Sequence, residues 1–154
     1  MAKITLDHLD REILRALEAD SRISLVHLSE RIGLSATPCK RRLARLQDSG
    51  LIAHYGVTLD RKVAGHGITA YVSVELERTD AEQIADFQRQ VSLFEEVVTG
   101  TLMTGAQDFL LEVAVESLEE FDMFLQSKLM RIPGLRNVKS RFALQKFINR
   151  NRLP

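Results

Sequence analysis

The chain has 154 residues and carries 21 Lys and Arg against 21 Asp and Glu, so its formal net charge is zero. Hydrophobic residues make up 45% of it and charged residues 27%, which excludes an intrinsically disordered chain. No apolar run reaches the ~18 residues that a membrane helix needs. Cys39 is the only cysteine, which excludes an intrachain disulfide and a cysteine metal cluster. We expect a cytoplasmic globular protein of one or two domains, without a signal peptide.

The charges are unevenly distributed along the chain. Residues 75–122 contain thirteen acids and only two bases, whereas residues 123–154 contain eight bases and no acid. A second basic segment lies within residues 36–49. Such asymmetry is typical of a neutral chain with local sites for a polyanion. For the basic tail, an ordinary solvated surface is an equally good interpretation.

The first third of the chain predicts three short helices. Residues 6–19 place leucine and isoleucine on one helical stripe. A second helix follows Ser24, which can cap it, and ends at Gly33. A third helix follows Ser35, has Pro38 in its first turn and ends at Gly50. The stripe positions that we expect to face inward are Leu6, Leu9, Ile13, Leu14, Leu17, Leu25, Leu28, Ile32, Leu43 and Leu46.

Three helices with a glycine-containing turn between the second and third are typical of a helix-turn-helix. The third helix would lie in the major groove of DNA, with its bases on the side opposite Leu43 and Leu46. A basic amphipathic helix on the surface of an ordinary globular domain is the alternative. Residues 51–60 are rich in β-forming residues and predict a short strand or wing.

The remaining two thirds predict the order β-α-β-β-α-β, the ferredoxin-like split βαβ plan. The strands are expected at 68–77, 95–105, 108–117 and 135–147, and the helices at 80–92 and 118–130. The inward helix positions are expected to be Ile84, Phe87, Val91, Leu118, Phe121, Phe124 or Leu125, and Leu129. Apolar residues on the sheet face away from the helices would indicate sheet-to-sheet dimerisation. Gly65 and Gly67 are expected to mark a hinge between the two parts.

The sequence TGAQD at 104–108 joins the second and third predicted strands. Gly105 permits a positive φ, and free amides in the loop could hold a carboxylate while Asp108 pairs with an ammonium group. The alternative is a plain hairpin turn with a solvent-facing Asp108, which these letters alone favour.

The whole chain resembles the Lrp/AsnC (leucine-responsive, feast/famine) transcriptional regulators. The segments LDHLDREILRAL and GLSATPCKRRLARLQDSGLI resemble the family's LDxxDxxIL opening and GLSxxPCxxRxxRLExxGxI segment, and residues 104–111 and 132–135 resemble its effector domain. The resemblance implies an α+β protein with a winged helix-turn-helix at 1–60, a hinge at 61–67, and a ferredoxin-like effector and oligomerisation domain (an αβ-sandwich) at 68–154. It also implies double-stranded DNA as partner, homodimers that assemble further, often to octamers, and an amino acid bound between dimers.

The resemblance also implies two sets of site residues. The DNA-binding set is Ser35, Thr37, Lys40, Arg41, Arg42 and Arg45, in which Arg42 is of second rank, as is the additional Arg22. The effector-binding set is Leu102, Thr104, Gly105, Ala106, Asp108, Leu118, Ser140 and Phe142. Positions 105–108 read Gly-Ala-Gln-Asp and depart from the family's common GDxD pattern.

Other chemistry is not indicated. No nucleophile and base are arranged for catalysis, no phosphate-binding loop or cofactor motif is present, and the four histidines have no metal-ligand spacing. We therefore expect no enzyme activity, no metal and no cofactor other than an amino-acid effector. Cys39 is interpreted as a packed residue rather than a redox sensor. Two alternatives to an effector-controlled regulator stay open: an architectural protein that wraps DNA, and, less favoured, an enzyme on the ferredoxin-like domain.

Overall fold

The computed structural model describes residues 4–148. These residues form two compact units, which we treat separately. The first unit contains the chain up to Thr58, with Ile148 grouped to it, and is called the head. The second spans Leu59–Phe147 and is called the sheet unit.

The head contains the three predicted helices. They are α1 (His8–Ala19), α2 (Leu25–Arg31) and α3 (Ala36–Asp48). Their inward side chains share one core, in which the buried apolar residues are Ile13, Ala16, Leu28, Cys39 and Leu46. Leu43, predicted to face inward, is partly buried against this core. Nine of the ten predicted inward positions belong to this core or pack against it, whereas Leu9 does neither.

The helix ends follow the predicted capping residues, with one exception. The Ser24 hydroxyl accepts the amide of His27 at 3.2 Å, as expected for an N-cap. Ser35 occupies the N-cap position of α3, but its side chain makes no capping hydrogen bond. Gly33 and Gly50 have φ of +70° and +74°, the left-handed conformation that ends a helix at low cost. After Gly50, residues 51–60 form no strand, so the predicted short strand is wrong.

The start of α1 carries a capping box that the sequence analysis missed. The Asp7 side chain accepts the Asp10 amide at 2.9 Å, and the Asp10 side chain accepts the Asp7 amide at 3.1 Å. The hydrogen bond from the Asp10 amide and the contact with the Arg42 guanidinium lower the pKa of Asp7 below its ordinary value. The first turn of α1 is thus fixed by two reciprocal side-chain hydrogen bonds, and the Asp7 carboxyl favours its ionised form.

The sheet unit has the predicted ferredoxin-like order. Its strands pair antiparallel in the order β2-β3-β1-β4. The strands are β1 (Ile68–Leu76), β2 (Val97–Leu102), β3 (Phe109–Val115) and β4 (Leu135–Phe142), and the helices are α4 (Ala81–Val91) and α5 (Leu118–Ser127), with a 3₁₀ turn at Leu129–Arg131. The α+β fold class is confirmed.

One sheet face and the two helices enclose the core of this unit. Alternating residues of β1 and β3 point into it, and Phe87 of α4 and Phe121 and Phe124 of α5 pack on them. Leu118 was predicted to face inward but is 57% exposed, because it is the first residue of α5 and the buried stripe begins one turn later. Helix α5 also ends at Ser127, earlier than predicted, and Leu129 is buried from the following 3₁₀ turn.

Two strands end earlier than the alternation predicted. Strand β2 stops at Leu102 rather than Gly105, since Gly105 has φ of +116° and lies in the turn to β3. Strand β4 stops at Phe142 rather than at residue 147. Phe142 pairs with Ala70 near the start of β1, and the pairing of the two strands ends there.

The sheet face away from the helices is not the apolar surface that would indicate sheet-to-sheet dimerisation. By the pairing register it combines Leu110 and Ala114 with polar and charged side chains. Those polar and charged positions include Thr69, Tyr71, Ser73, Glu75, Glu112, Lys139 and Arg141. Glu112 is buried on this face and pairs with Arg61 at 2.7 Å and Lys146 at 3.6 Å. Ion pairs therefore cover part of this face.

Asp7→Asn should flatten the acid limb of the stability profile. A carboxyl whose pKa is lower in the folded state stabilises the fold fully above its unfolded pKa, about 3.9, and loses that contribution as the pH falls through the folded value. Asn still caps the helix but does not titrate. Denaturant unfolding of the full chain from neutral to acid pH, followed by the helical signal, measures this. Equal loss of stability below about pH 4 in both proteins would contradict the assignment.

Gly134→Ala should destabilise the sheet unit by about 2–3 kcal/mol. Gly134 has φ of +80°, and a Cβ there would lie 1.7 Å from Nε2 of Gln83, which donates to the Gly134 carbonyl at 3.0 Å. The added methyl group therefore strains the backbone and displaces this hydrogen bond. In a Gln83→Ala background the same change should cost only about 1–2 kcal/mol of backbone strain. Urea unfolding of the four proteins tests this, and equal costs in both backgrounds would contradict the contact.

Candidate functional site

Helix α3 presents a mainly polar surface on the side away from the head core. Ser35, Thr37, Lys40 and Arg41 are all exposed. Among the described residues, no carboxylate lies within salt-bridge distance of Lys40 or Arg41. These two bases and the two hydroxyls are therefore free to meet a ligand, and they share the first turns of the helix. Arg22, before α2, is also exposed.

The other two basic residues predicted to contact DNA, Arg42 and Arg45, form ion pairs with aspartates at the start of α1. Arg42 Nη1 lies 2.6 Å from Asp7 Oδ2 and 2.9 Å from Asp10 Oδ1. Arg45 Nη2 contacts the second oxygen of Asp10, Oδ2. The contacts with Asp7 and Asp10 raise the pKa of Arg42. The four basic residues predicted to share one surface thus fall into two pairs. Lys40 and Arg41 make no ion pair with a described carboxylate, whereas Arg42 and Arg45 connect α3 to the start of α1.

Asp10 was not among the sequence-predicted site residues, although its position carried a signal. It is fully buried at 0% exposure and lies between the stripe residues Leu6 and Ile13. An acidic residue on the apolar stripe of a helix requires a buried cationic partner. The bases spaced along α3 are that partner, which only the packing of the helices reveals.

Cys39 lies on the inner face of α3. It is fully buried, and burial raises the pKa of its thiol. A raised pKa leaves little thiolate at neutral pH, so the side chain acts as a small apolar residue. Packing, rather than redox sensing, is the role that these contacts support.

The β2–β3 turn is fixed to the end of β1 by Asp108. Asp108 Oδ2 accepts the Leu76 amide at 2.7 Å, and the Asp108 amide donates to the Val74 carbonyl at 3.0 Å. The turn closes through the Met103 amide, which donates to the Asp108 carbonyl at 2.8 Å. Asp108 is partly buried, so the expectation of a plain turn with a solvent-facing Asp108 is wrong.

The tip of this turn is open. Thr104, Gly105 and Ala106 are exposed, and within residues 4–148 the amides of residues 104–107 donate to no protein acceptor. The second oxygen of Asp108, Oδ1, also accepts no hydrogen bond there. The turn therefore offers unpaired amides for an anion beside a carboxylate for a cation.

An apolar groove of ≈ 290 Å³ begins beside the same turn. It lies between α4 and the edge strand β2, and Leu102 at the end of β2 is 51% exposed. The apolar side chains lining it include Phe87, Val91, Val97, Leu102, Phe109 and Leu111. The groove and the open turn thus meet at Leu102.

The predicted effector residues do not form one site within a single chain. Leu102 pairs with Phe109 at the end of the sheet where β1 finishes, and the 104–108 turn lies at that end. Phe142 pairs with Ala70 near the start of β1, and Ser140 pairs with Val72. Leu118 follows β3 at that same opposite end, where Phe121 of α5 contacts Phe142 with ring centroids 4.9 Å apart. Ser140 and Phe142 thus do not lie beside the turn of the same chain, because the antiparallel register separates them from it along the strands.

Within residues 4–148, no group of three His, Cys, Asp or Glu side chains is placed to hold a metal ion. No helix in that part of the chain could span a membrane.

Comparisons with known proteins agree with these two units. Residues 6–53 match the family model of a winged helix-turn-helix DNA-binding domain, and residues 69–153 match that of the Lrp/AsnC ligand binding domain. The chain is 36% identical to the Bkd operon transcriptional regulator of Pseudomonas aeruginosa, with 97% of each covered. It is 33% identical to the leucine-responsive regulatory protein of Escherichia coli, with 96% of this chain and 90% of the relative covered.

Solved structures show the same similarity in three dimensions. A transcriptional regulator of Neisseria meningitidis in complex with L-Met superposes with a TM-score of 0.91 at 32% identity, with 97% of each chain covered. An AsnC family transcriptional regulator of Agrobacterium tumefaciens has a TM-score of 0.90 at 34% identity, with the same coverage. The chain therefore belongs to the Lrp/AsnC family of transcriptional regulators, with a helix-turn-helix DNA-binding domain and a ligand-binding domain.

Proposed function

We propose that this regulator binds specific DNA sequences and that its DNA binding or oligomeric state responds to a small amino acid. The observation that carries the proposal is the union, in one chain, of a DNA-binding head and an Lrp/AsnC ligand-binding domain. The similar Neisseria meningitidis regulator, which binds L-Met, supports an amino acid as the ligand. The chain would then shift between two populations with different affinities for DNA.

Helix α3 is the proposed reader helix. Ser35 and Thr37 lie at its N-terminal end, which in a helix-turn-helix approaches base edges, and Lys40 and Arg41 follow on the exposed side. Hydroxyl groups can hydrogen-bond to either a nucleobase edge or a phosphate oxygen. The basic side chains of Lys40 and Arg41 can neutralise phosphates or hydrogen-bond to guanine. Arg42 and Arg45 belong to the same surface in the sequence, but their ion pairs to α1 restrict them.

The open β2–β3 turn is the proposed site for the backbone groups of the amino acid. Amides of residues 104–107 would bind its carboxylate, and Asp108 Oδ1 would accept its ammonium group while Oδ2 keeps the bond to Leu76. Gly105 gives the backbone close approach because it has no side chain. The groove beside Leu102 would take the side chain, so an apolar amino acid is favoured.

A second copy of the chain would complete this site. Leu118 and Phe142 lie at the far end of the sheet from the turn, and Ser140 pairs with Val72 at the middle of β1, so these residues would line the same ligand from a neighbouring subunit. We therefore propose homodimers that assemble further, with octamers as the expected size, and a ligand bound between dimers. We keep residues 61–67 as the proposed hinge between a head at 1–60 and an effector domain at 68–154.

We also infer that the chain is not an enzyme and acts in the cytoplasm. The similar proteins are transcriptional regulators, and a regulator must reach DNA. The arrangement described above gives binding groups at both sites and no nucleophile paired with a base.

Arg41→Ala should weaken DNA binding. If Arg41 reads a base, the loss should be about 1–3 kcal/mol on a preferred duplex and smaller on a scrambled one. If it meets only phosphate, both duplexes should lose affinity and the salt slope should fall by about 1. Fluorescence anisotropy at several salt concentrations measures both quantities, with Arg89→Ala, an exposed base of the sheet unit, as control. Unchanged binding by Arg41→Ala would remove this side chain from the interface.

Asp108→Asn should abolish ligand binding without unfolding the protein. Asn can still accept the Leu76 amide but offers no charge to an ammonium group, so the melting temperature should change little. Wild-type protein should show a raised melting temperature with one or more of the twenty amino acids, and the variant should not. Light scattering with the same ligand tests whether the assembly changes.

The same experiment separates a regulator from an architectural protein. A wild-type protein that responds to none of the amino acids, and that covers long stretches of DNA with small mismatch penalties, would favour the architectural alternative. A regulator should instead lose about 1–3 kcal/mol for each altered base pair of its site.

A further inference from the structure

We propose that Asp10 is the positioning residue of the reader helix, and that Arg42 and Arg45 serve this carboxylate rather than DNA. The proposal rests on α3 being the reader helix, as proposed above. It assigns a role in DNA recognition to a residue of α1 that faces away from any ligand, and it removes two bases from the expected interface.

The first step is the burial of Asp10. Its side chain is 0% exposed, and Asp10 is the charged residue among the buried residues of the head, the others being apolar apart from Ser29. A buried carboxylate without partners is strongly unfavourable, so its charge must be met by cations in the folded state. Each oxygen of Asp10 contacts one guanidinium: Oδ1 contacts Arg42 and Oδ2 contacts Arg45.

The second step is the charge balance of the cluster. Arg42 also contacts Asp7, so two carboxylates of α1 meet two guanidinium groups of α3. For either arginine to reach a phosphate, it would have to leave a carboxylate that has no other access to water. Arg42 is 25% exposed and Arg45 is 50% exposed. The ion pairs therefore hold both side chains toward α1.

The third step is the geometry that this imposes on α3. Arg42 and Arg45 are three residues apart, so they lie on one side of the helix, about 80° around its axis from the buried residues Cys39 and Leu46. Apolar packing fixes which side of α3 faces inward, but it tolerates some sliding and rotation. Two directed contacts to a single carboxylate restrict both, and so set the direction in which Thr37 and Arg41 point.

The test compares three variants of the full-length protein: Asp10→Asn, Arg45→Gln and Arg41→Gln. Arg41→Gln is the matched control, because it makes the same change on the same helix at an arginine that is free of α1. The probes are a duplex selected by the wild-type protein from a random pool and a scrambled duplex of equal length. Affinity is measured over a range of salt concentrations, at a temperature where circular dichroism shows each variant to be folded.

The proposal predicts a different pattern for each variant. Arg41→Gln should lower the salt slope by about 0.9, one phosphate contact or its equivalent. Arg45→Gln should leave the slope unchanged and lower the melting temperature. Asp10→Asn should reduce the preference for the selected duplex about ten-fold, while its salt slope becomes steeper because the released arginines can now bind phosphate. A purely structural loss would reduce the folded fraction without steepening that slope.

Two results would overturn the proposal. One is an Arg45→Gln slope that falls as far as that of Arg41→Gln. The other is an Asp10→Asn protein that keeps the wild-type preference between the duplexes. A separate outcome, in which both arginine variants keep the wild-type slope and the wild-type affinity for each duplex, would overturn the reader-helix assignment on which the proposal rests. If Asp10→Asn does not fold, Arg45→Gln decides the question, since Arg42 still neutralises Asp10 in that variant.

Discussion

The burial of one carboxylate, that of Asp10, constrains the rest of the head. A charge inside an apolar core is tolerated only where cations meet it, and here the two cations come from α3. The packing of α1 on α3 is therefore directional as well as apolar. The exposed side of α3, with Lys40 and Arg41, follows from that contact, because the helix cannot turn without separating Asp10 from its partners.

The sheet unit uses acidic side chains in a related way, to hold segments that lack regular pairing. Asp108 ties the β2–β3 turn to the amide of Leu76, and Glu112 holds Arg61 and Lys146 against the sheet. In both cases a partly or fully buried carboxylate replaces the missing ladder of backbone hydrogen bonds. The turn at 104–108 can then keep its tip amides unpaired, which is the condition for binding a ligand there.

Local signals in the sequence were sufficient for most elements of the fold. Caps such as Ser24 and Ser117 act on amides two or three residues away, and alternation along β1 marks its buried face directly. The errors fall where pairing between distant segments decides. Strand β4 stops at Phe142, which pairs with Ala70 near the start of β1. Residues 51–60 form no strand, although their composition is typical of one.

The candidate sites were harder to predict for the same reason. Motif resemblance placed six residues of the α3 region in the DNA interface, yet Arg45 meets a carboxylate 35 positions away, and no spacing rule within α3 reveals it. Likewise Leu102 and Phe142 belong to one predicted effector-binding set but lie at opposite ends of one sheet. Both differences have one physical origin. Whether a side chain can reach a ligand depends on the ion pairs that it already makes and on the end of the strand at which it lies. Both are set by the packing of distant segments of the chain.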